Sequence, residues 1–162
     1  MIIEIAENPG VYRVLSETVS ADEILEAARE IMDSRFAKGA CFNNPDVGRH
    51  YFKHKLGDKP HEVFAVVFLD SQHRMVAYEE LFRGSLTAAQ VHVREIAKRA
   101  LFHNAAALIL AHNHPSGCCT PSESDIFTTM KIRDAMEMFS VKLIDHFVVG
   151  KACYSMAENC NI

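Results

Sequence analysis

Seven consecutive apolar residues, Ala105 to Ala111, run directly into His112-Asn113-His114-Pro115-Ser116-Gly117. No other segment constrains the fold as much. An uncharged run of this length, closed by proline and glycine, reads as a strand buried on both faces. The strand leaves the interior on a pair of imidazoles. On an extended chain residues i and i+2 point to the same side, roughly 6.6 Å apart along the backbone, so His112 and His114 can converge on one ion. The loop that follows is long enough to fold back and bring Asp125 into the first turn of the next helix. Two nitrogens and one oxygen are the ligand count of a catalytic zinc, which keeps its fourth position for water. Zinc held in this way lowers the pKa of that water from about 15.7 towards about 7, which suits attack on a carbonyl.

Such a reaction needs two further groups. Ser122 stands three residues before Asp125, so its hydroxyl lies near the metal and could donate to a developing oxyanion. A carboxylate must also act as base. Glu62, at the start of an apolar run over residues 63–69, is the best-placed candidate if that strand neighbours His112 and His114; Glu79, Glu80 and Glu95 are weaker ones. Taken alone, Ser122-Glu123-Ser124-Asp125 is also a plain capping box, worth on the order of 1 kcal/mol to a helix.

The rest of the chain organises around this segment. Asn8-Pro9-Gly10 is turn material, and residues 11–17 read as a short strand. Ser20 and Glu23 form a capping box before Ile24, Leu25, Ala28, Ile31 and Met32 at helical spacing, a helix that fades near Lys38-Gly39. Asn44 as N-cap and Pro45 in the first turn open a second helix to about Leu56. Residues 62–69 and 75–82, separated by Asp70-Ser71-Gln72, form a hairpin. Residues 87–103 have a helical face, 121–139 form another amphipathic helix, and 141–150 with 152–156 close the chain as two strands. The expected division is an N-terminal strand and helix extension, 1–43, and a main domain, 44–162, in one compact body.

The 162 residues carry a formal net charge of −4, and neither end is basic; the electrostatic footprint of a duplex-DNA binder is missing. No apolar stretch reaches the length of a membrane span, and no charged-then-apolar leader opens the chain. The five cysteines form an odd number without a C-x-x-C pair, as in a reducing compartment. A cytoplasmic location is expected.

The run His112-Asn113-His114-Pro115-Ser116-Gly117, followed by Pro121, Ser122 and Asp125, resembles the RadC family within the JAB/MPN (JAMM) metallopeptidases. The family pattern is an upstream glutamate, then H-x-H, seven residues, then S-x-x-D, and seven residues separate His114 from Ser122 here. Residues 68–72 (Phe-Leu-Asp-Ser-Gln), 80–84 (Glu-Leu-Phe-Arg-Gly) and 145–150 (Asp-His-Phe-Val-Val-Gly) add to the likeness, which covers about residues 44–157. The resemblance implies zinc ligands His112, His114 and Asp125, Ser122 as oxyanion stabiliser and Glu62 as general base. It implies a mixed α/β fold, a curved central sheet packed by helices, of the cytidine-deaminase-like kind. It also implies hydrolysis of peptide or isopeptide bonds in a protein or peptide substrate. Two readings compete with it: a non-catalytic protein-binding module on the same fold, and a DNA-repair accessory role suggested by the family's history. Three features depart from relatives. Cys118-Cys119 stands where an acidic residue and proline are frequent, Val93 where proline is usual, and the chain looks like a short form without the preceding helical domain. A zinc deaminase would need H-x-E and P-C-x-x-C, and neither occurs.

Other residues have plainer readings. Cys118 and Cys119 could add a ligand or an oxidisable lock, but read better as loop residues. His50 and His54 have zincin spacing without the glutamate, and belong to a surface helix. His92, Arg94 and Glu95 read as a polar helix start, and Arg94, Lys98 and Arg99 as a solvated face. Asp145-His146 is either a satisfied core pair or a partner that orients a metal ligand.

Overall fold

The computed structural model describes residues 2–4, 12–14, 18–36, 39–84, 91–160 and 162. The chain divides into two units, Met1–Phe36 and Ala37–Ile162. In the first, β1 (Ile2–Glu4) pairs antiparallel with β2 (Tyr12–Val14), and α1 (Ala21–Arg35) follows. Ser20 and Glu23 close the expected capping box: the Glu23 N–H donates to the Ser20 hydroxyl at 3.2 Å, and the Ser20 N–H to the Glu23 carboxylate at 3.0 Å. The turn read at residues 8–10 lies outside the described residues, as do residues 11 and 15–17 of the strand read beside it.

The second unit runs α2 (Pro45–Leu56), β3 (Val63–Leu69), β4 (Met75–Arg83), α3 (Val93–Phe102), β5 (Ala107–Asn113), α4 (Glu123–Glu137), β6 (Lys142–Val149) and β7 (Cys153–Ser155). Residues 39–42 belong to it through their backbone: Gly39 and Met75 donate N–H bonds to Met75 and Ala40 carbonyls, and Phe42 donates to His73. Five strands form one mixed sheet in the order β4-β3-β5-β6-β7. Only β5 and β6 run parallel, joined by the crossover through α4. The architecture is mixed α/β, as expected.

The sheet is covered on both faces, which is why β3 and β5 are buried along their whole length and carry no polar alternation. Phe64, Val66, Phe68, Leu108 and Leu110 pack on one face against Ile96 and Ala100 of α3 and Ile132 and Met136 of α4. Residues of opposite parity face α2. There Phe52 meets Phe147 of β6 with ring centroids 5.4 Å apart. Gly48 admits the same ring so closely that a Cβ would stand 2.6 Å from it.

Two helices are shorter than their patterns suggest. Of the face read over 87–103, residues 87–90 lie outside the described residues, and among the described ones the helix starts at Val93, after an extended His92 (ψ 101°). The helix read over 121–139 begins at Glu123, because Ser122 is an extended N-cap, and ends at Glu137. Leu110 is fully buried at the middle of β5. Leu110→Ala should lower the unfolding free energy by about 2–5 kcal/mol, measured as a drop in denaturant midpoint at unchanged slope.

Candidate metal centre

β5 continues beyond the core as an alternating tripeptide. His112 is fully buried and stacks on Phe64 across the strand pair, rings 6° from parallel. His114 is held at the strand end by its N–H, which donates to the Val149 carbonyl of β6 at 2.8 Å. Gly117 (φ 84°) turns the chain immediately afterwards, in a conformation that glycine adopts without strain. The loop then crosses β6 at Gly150, where a Cβ would lie 2.5 Å from the Gly117 carbonyl oxygen and 2.8 Å from the Cys118 carbonyl. This crossing places the Cys118 carbonyl 2.9 Å from His114 Nδ1, which donates to it.

At the other end of the loop, Ser122 and Asp125 form a reciprocal cap. The Asp125 N–H donates to the Ser122 hydroxyl oxygen at 3.2 Å, and both the Ser122 N–H and its hydroxyl donate to Asp125 Oδ2 at 2.7 Å. The capping box and the ligand geometry are therefore the same piece of structure. The Ser122 proton is directed at Asp125, so donation to a substrate oxygen requires the hydroxyl to turn.

The two arms converge. His112 Nε2 and His114 Nε2 are 3.0 Å apart; Asp125 Oδ1 is 3.5 Å from the first and Oδ2 3.7 Å from the second. All three ligand atoms lie within 4.8 Å of one another. A tetrahedral ion with bonds of about 2.0–2.1 Å spaces its ligands about 3.3 Å apart, so the geometry fits a zinc-sized cation. The hydrogen count fits as well. His114 Nδ1 carries a proton for the Cys118 carbonyl, which makes Nε2 the nitrogen that faces His112 and the carboxylate. Burial pushes the Asp125 pKa up, but the hydrogen bond and charge of His112, with the donors of Ser122, outweigh it and hold the carboxyl well below its ordinary range. Two imidazole nitrogens and an ionised, buried carboxylate sharing a corner invite a cation.

The other residues singled out in the sequence are placed as follows. β3 and β5 are antiparallel with Phe64 opposite His112, and Glu62 lies just before the first residue of β3. Glu62 is half-buried and its carbonyl accepts from the Gly84 N–H at 3.0 Å. Glu79, Glu80 and Glu95 have partners elsewhere: Glu79 pairs with Arg99 and with His103 at 2.6 Å, Glu80 with Lys59 at 2.8 Å, and Glu95 with Arg94 at 3.4 Å. His92 caps no backbone group and lies against Phe82. Cys118 is exposed, Cys119 is half-buried, and both are free thiols. Neither they nor His50 and His54 join the converging group, the one such cluster among the described residues.

Two residues at the centre carry no signal that sequence reasoning used. Asn113 points away from the imidazoles and clamps the segment that leads into β3. Its Oδ1 accepts from the Val63 N–H at 2.8 Å, and its Nδ2 donates to the His61 and Lys59 carbonyls at 3.0 and 3.3 Å. This fixes the backbone that carries Glu62. Thr129, on the buried side of α4, lies 2.5 Å from His146 Nδ1, and His146 Nε2 is 2.8 Å from His112 Nδ1. The Asp145-His146 pair thus divides its duties. Asp145 is a satisfied core carboxylate, its oxygens taking hydrogen bonds from the Ser155 hydroxyl and the His146 and Ala157 N–H groups. His146 touches a member of the cluster. Burial, then the neighbouring His112, depresses the His146 pKa, so that its ring stays neutral.

The glycine at the crossing generates a prediction. Since the atoms that a Gly150 Cβ would meet are backbone, Gly150→Ala must displace the loop that holds His114. Its affinity for Zn2+, measured by competition with a chromogenic chelator, should fall about tenfold or more, while circular dichroism shows the fold retained.

Comparison with known proteins agrees with this geometry. The family model described as "RadC-like JAB domain" matches residues 42–161. A UPF0758 protein of Leptothrix cholodnii is 52% identical over 136 residues, covering 83% of this chain and 61% of the relative. One from Thioalkalivibrio sulfidiphilus is 49% identical over 135 residues, covering 83% and 60%. A shorter one from Vibrio cholerae is 44% identical over 145 residues, covering 90% and 92%. The chain thus spans about three fifths of the length of the first two relatives and nearly all of the third. A family model matched over most of the chain, with the H-x-H and S-x-x-D residues brought to one point, identifies this protein as a member of the RadC-like JAB domain family.

Proposed function

We propose that this protein is a zinc-dependent hydrolase that cleaves an amide bond, peptide or isopeptide, in a protein or peptide substrate. The observation that carries the reading is the meeting of His112 Nε2, His114 Nε2 and the Asp125 carboxylate at the end of a strand buried on both faces. Zinc held there supplies a Lewis acid and an acidified water for attack on a carbonyl. The remaining work falls to the chain's own groups. Glu62, just before β3 on the backbone that the Asn113 clamp fixes, takes the proton of the attacking water and delivers it to the departing nitrogen. The Ser122 hydroxyl, turned from Asp125 Oδ2, donates to the carbonyl oxygen as negative charge builds on it. Phe64 and the stacked His112 ring keep water from the inner side of the cluster, where a dry surrounding strengthens each of these interactions.

His114→Ala should fold normally yet lose the single zinc that the wild type retains on dialysis, as read by elemental analysis. Glu62→Gln should keep its zinc and lose about 10²- to 10⁴-fold in turnover against a library of peptide and isopeptide substrates. Full zinc in the first variant defeats the metal assignment. Unchanged turnover in the second removes Glu62 from the reaction. Zinc uptake by the wild type with no cleavage across the library favours the binding-module reading.

A further inference from the structure

One threonine proton decides which nitrogen of His112 is available. Thr129 Oγ1 lies 2.6 Å from the carbonyl oxygen of Asp125, one turn back along α4, and 2.5 Å from His146 Nδ1; Met156 Sδ is more distant, at 3.9 Å. A hydroxyl has a single hydrogen and two lone pairs. Two oxygens 2.6 Å apart in a dry interior need a hydrogen between them, and a carbonyl brings none, so the hydroxyl proton points at Asp125. Such back-bonding to the carbonyl four residues earlier is a familiar arrangement for threonine in a helix. The hydroxyl can then only accept from His146, whose proton must sit on Nδ1. His146 Nε2 is left bare, 2.8 Å from His112 Nδ1, so the His112 proton must in turn sit on Nδ1. His112 Nε2 is left as the position open to exchange: it faces His114 Nε2 and Asp125, and a hydrogen held there is displaced when a cation binds.

The opposite direction would leave the 2.6 Å contact between Thr129 Oγ1 and the Asp125 carbonyl without a hydrogen, and it would be inactive. With the hydroxyl proton aimed at His146, each imidazole carries its hydrogen on Nε2, and His112 would present an N–H to the place where a cation must bind. His112, Thr129 and His146 are all within 1% of complete burial, so no water can enter to reverse the chain, and no buried side-chain polar atom among the described residues lacks a partner.

From this we infer that Thr129 and His146 are positioning residues: the Thr129 hydroxyl, anchored on the Asp125 carbonyl, fixes the proton of His146 and then of His112 on Nδ1, so that His112 Nε2 is the nitrogen free to meet the metal. The inference rests on the zinc-site reading above, but its first test needs no metal. It also ties two ligands together, since the peptide group of Asp125 dictates the hydrogen position on His112.

Long-range 1H–15N spectra of metal-free protein labelled with 15N-histidine should show His146 neutral with its proton on Nδ1. A proton on His146 Nε2 would overturn the inference whatever the protein's zinc affinity. Thr129→Val keeps the shape and removes the hydroxyl. It should weaken zinc binding about 10- to 100-fold and move the His146 proton to Nε2, while Thr129→Ser restores both. A loss of affinity with the His146 proton still on Nδ1 would reduce Thr129 to a packing residue. Unchanged affinity would remove it from the site altogether. Should Thr129→Val fail to fold, the wild-type spectrum and the serine variant decide. A wild type that shows the expected tautomer yet takes up no zinc would defeat the hydrolase reading and leave the hydrogen-bond order standing.

Discussion

The parallel pairing of β5 with β6 is the constraint on which the centre depends. Parallel neighbours require a crossover, and here the crossover contains the loop 114–122 and α4, so one connection carries His114, Ser122, Asp125 and Thr129. The register sets Leu110 beside His146 and His112 beside Val148, which brings the two buried imidazoles edge to face, centroids 4.8 Å apart. A slip of one residue would turn every side chain of β5 to the opposite face, sending His112 towards α2 and away from α4. The uninterrupted burial of β5 on both faces is what makes that slip prohibitive.

The same packing accounts for the polarity tolerated in the core. His112, Asn113, Asp125, Thr129, Asp145, His146 and Ser155 are all buried, and isolated polar groups there would each cost a few kcal/mol. Asn113 is satisfied by the backbone of residues 59–63; the other six form two satisfied networks on opposite sides of the sheet. One runs from the Asp125 peptide through Thr129 and His146 to His112. The other gathers Ser155 and the Ala157 and His146 N–H groups on Asp145, whose carboxyl burial nevertheless pushes upward in pKa. Adjacent residues in a strand face opposite ways, so the Asp145-His146 dipeptide is the link between a structural network and a metal-facing one.

Much of this was legible in the residues themselves. The buried strand, the convergence of His112 and His114, and the return of Asp125 follow from strand alternation, a proline–glycine stop and a capping box, all of them local. What escaped reading is non-local. Asn113 looks like filler between two histidines until β3 is known to begin beside it. Thr129 is one of two adjacent threonines in α4, and only the crossing of α4 over β6 distinguishes it from Thr128. Gly150 resembles a strand-end turn, yet it is needed because another loop's backbone passes over it. The N-terminal limit of α3 among the described residues is set by the extended His92, which the apolar spacing of the sequence does not reveal. Val93, which departs from the family's usual proline, stands at the first position of α3, where a proline would have been favoured.

The cap that opens α4 has a consequence for loading. The Asp125 carboxylate is gripped on Oδ2 by the backbone and hydroxyl of Ser122, and the His114 ring is pinned from behind by the Cys118 carbonyl. The two arms of the cluster are thus each held by the chain's own hydrogen bonds. A ligand set braced in this way from within its own capping box and loop asks little further ordering of any cation that the proposed function calls for.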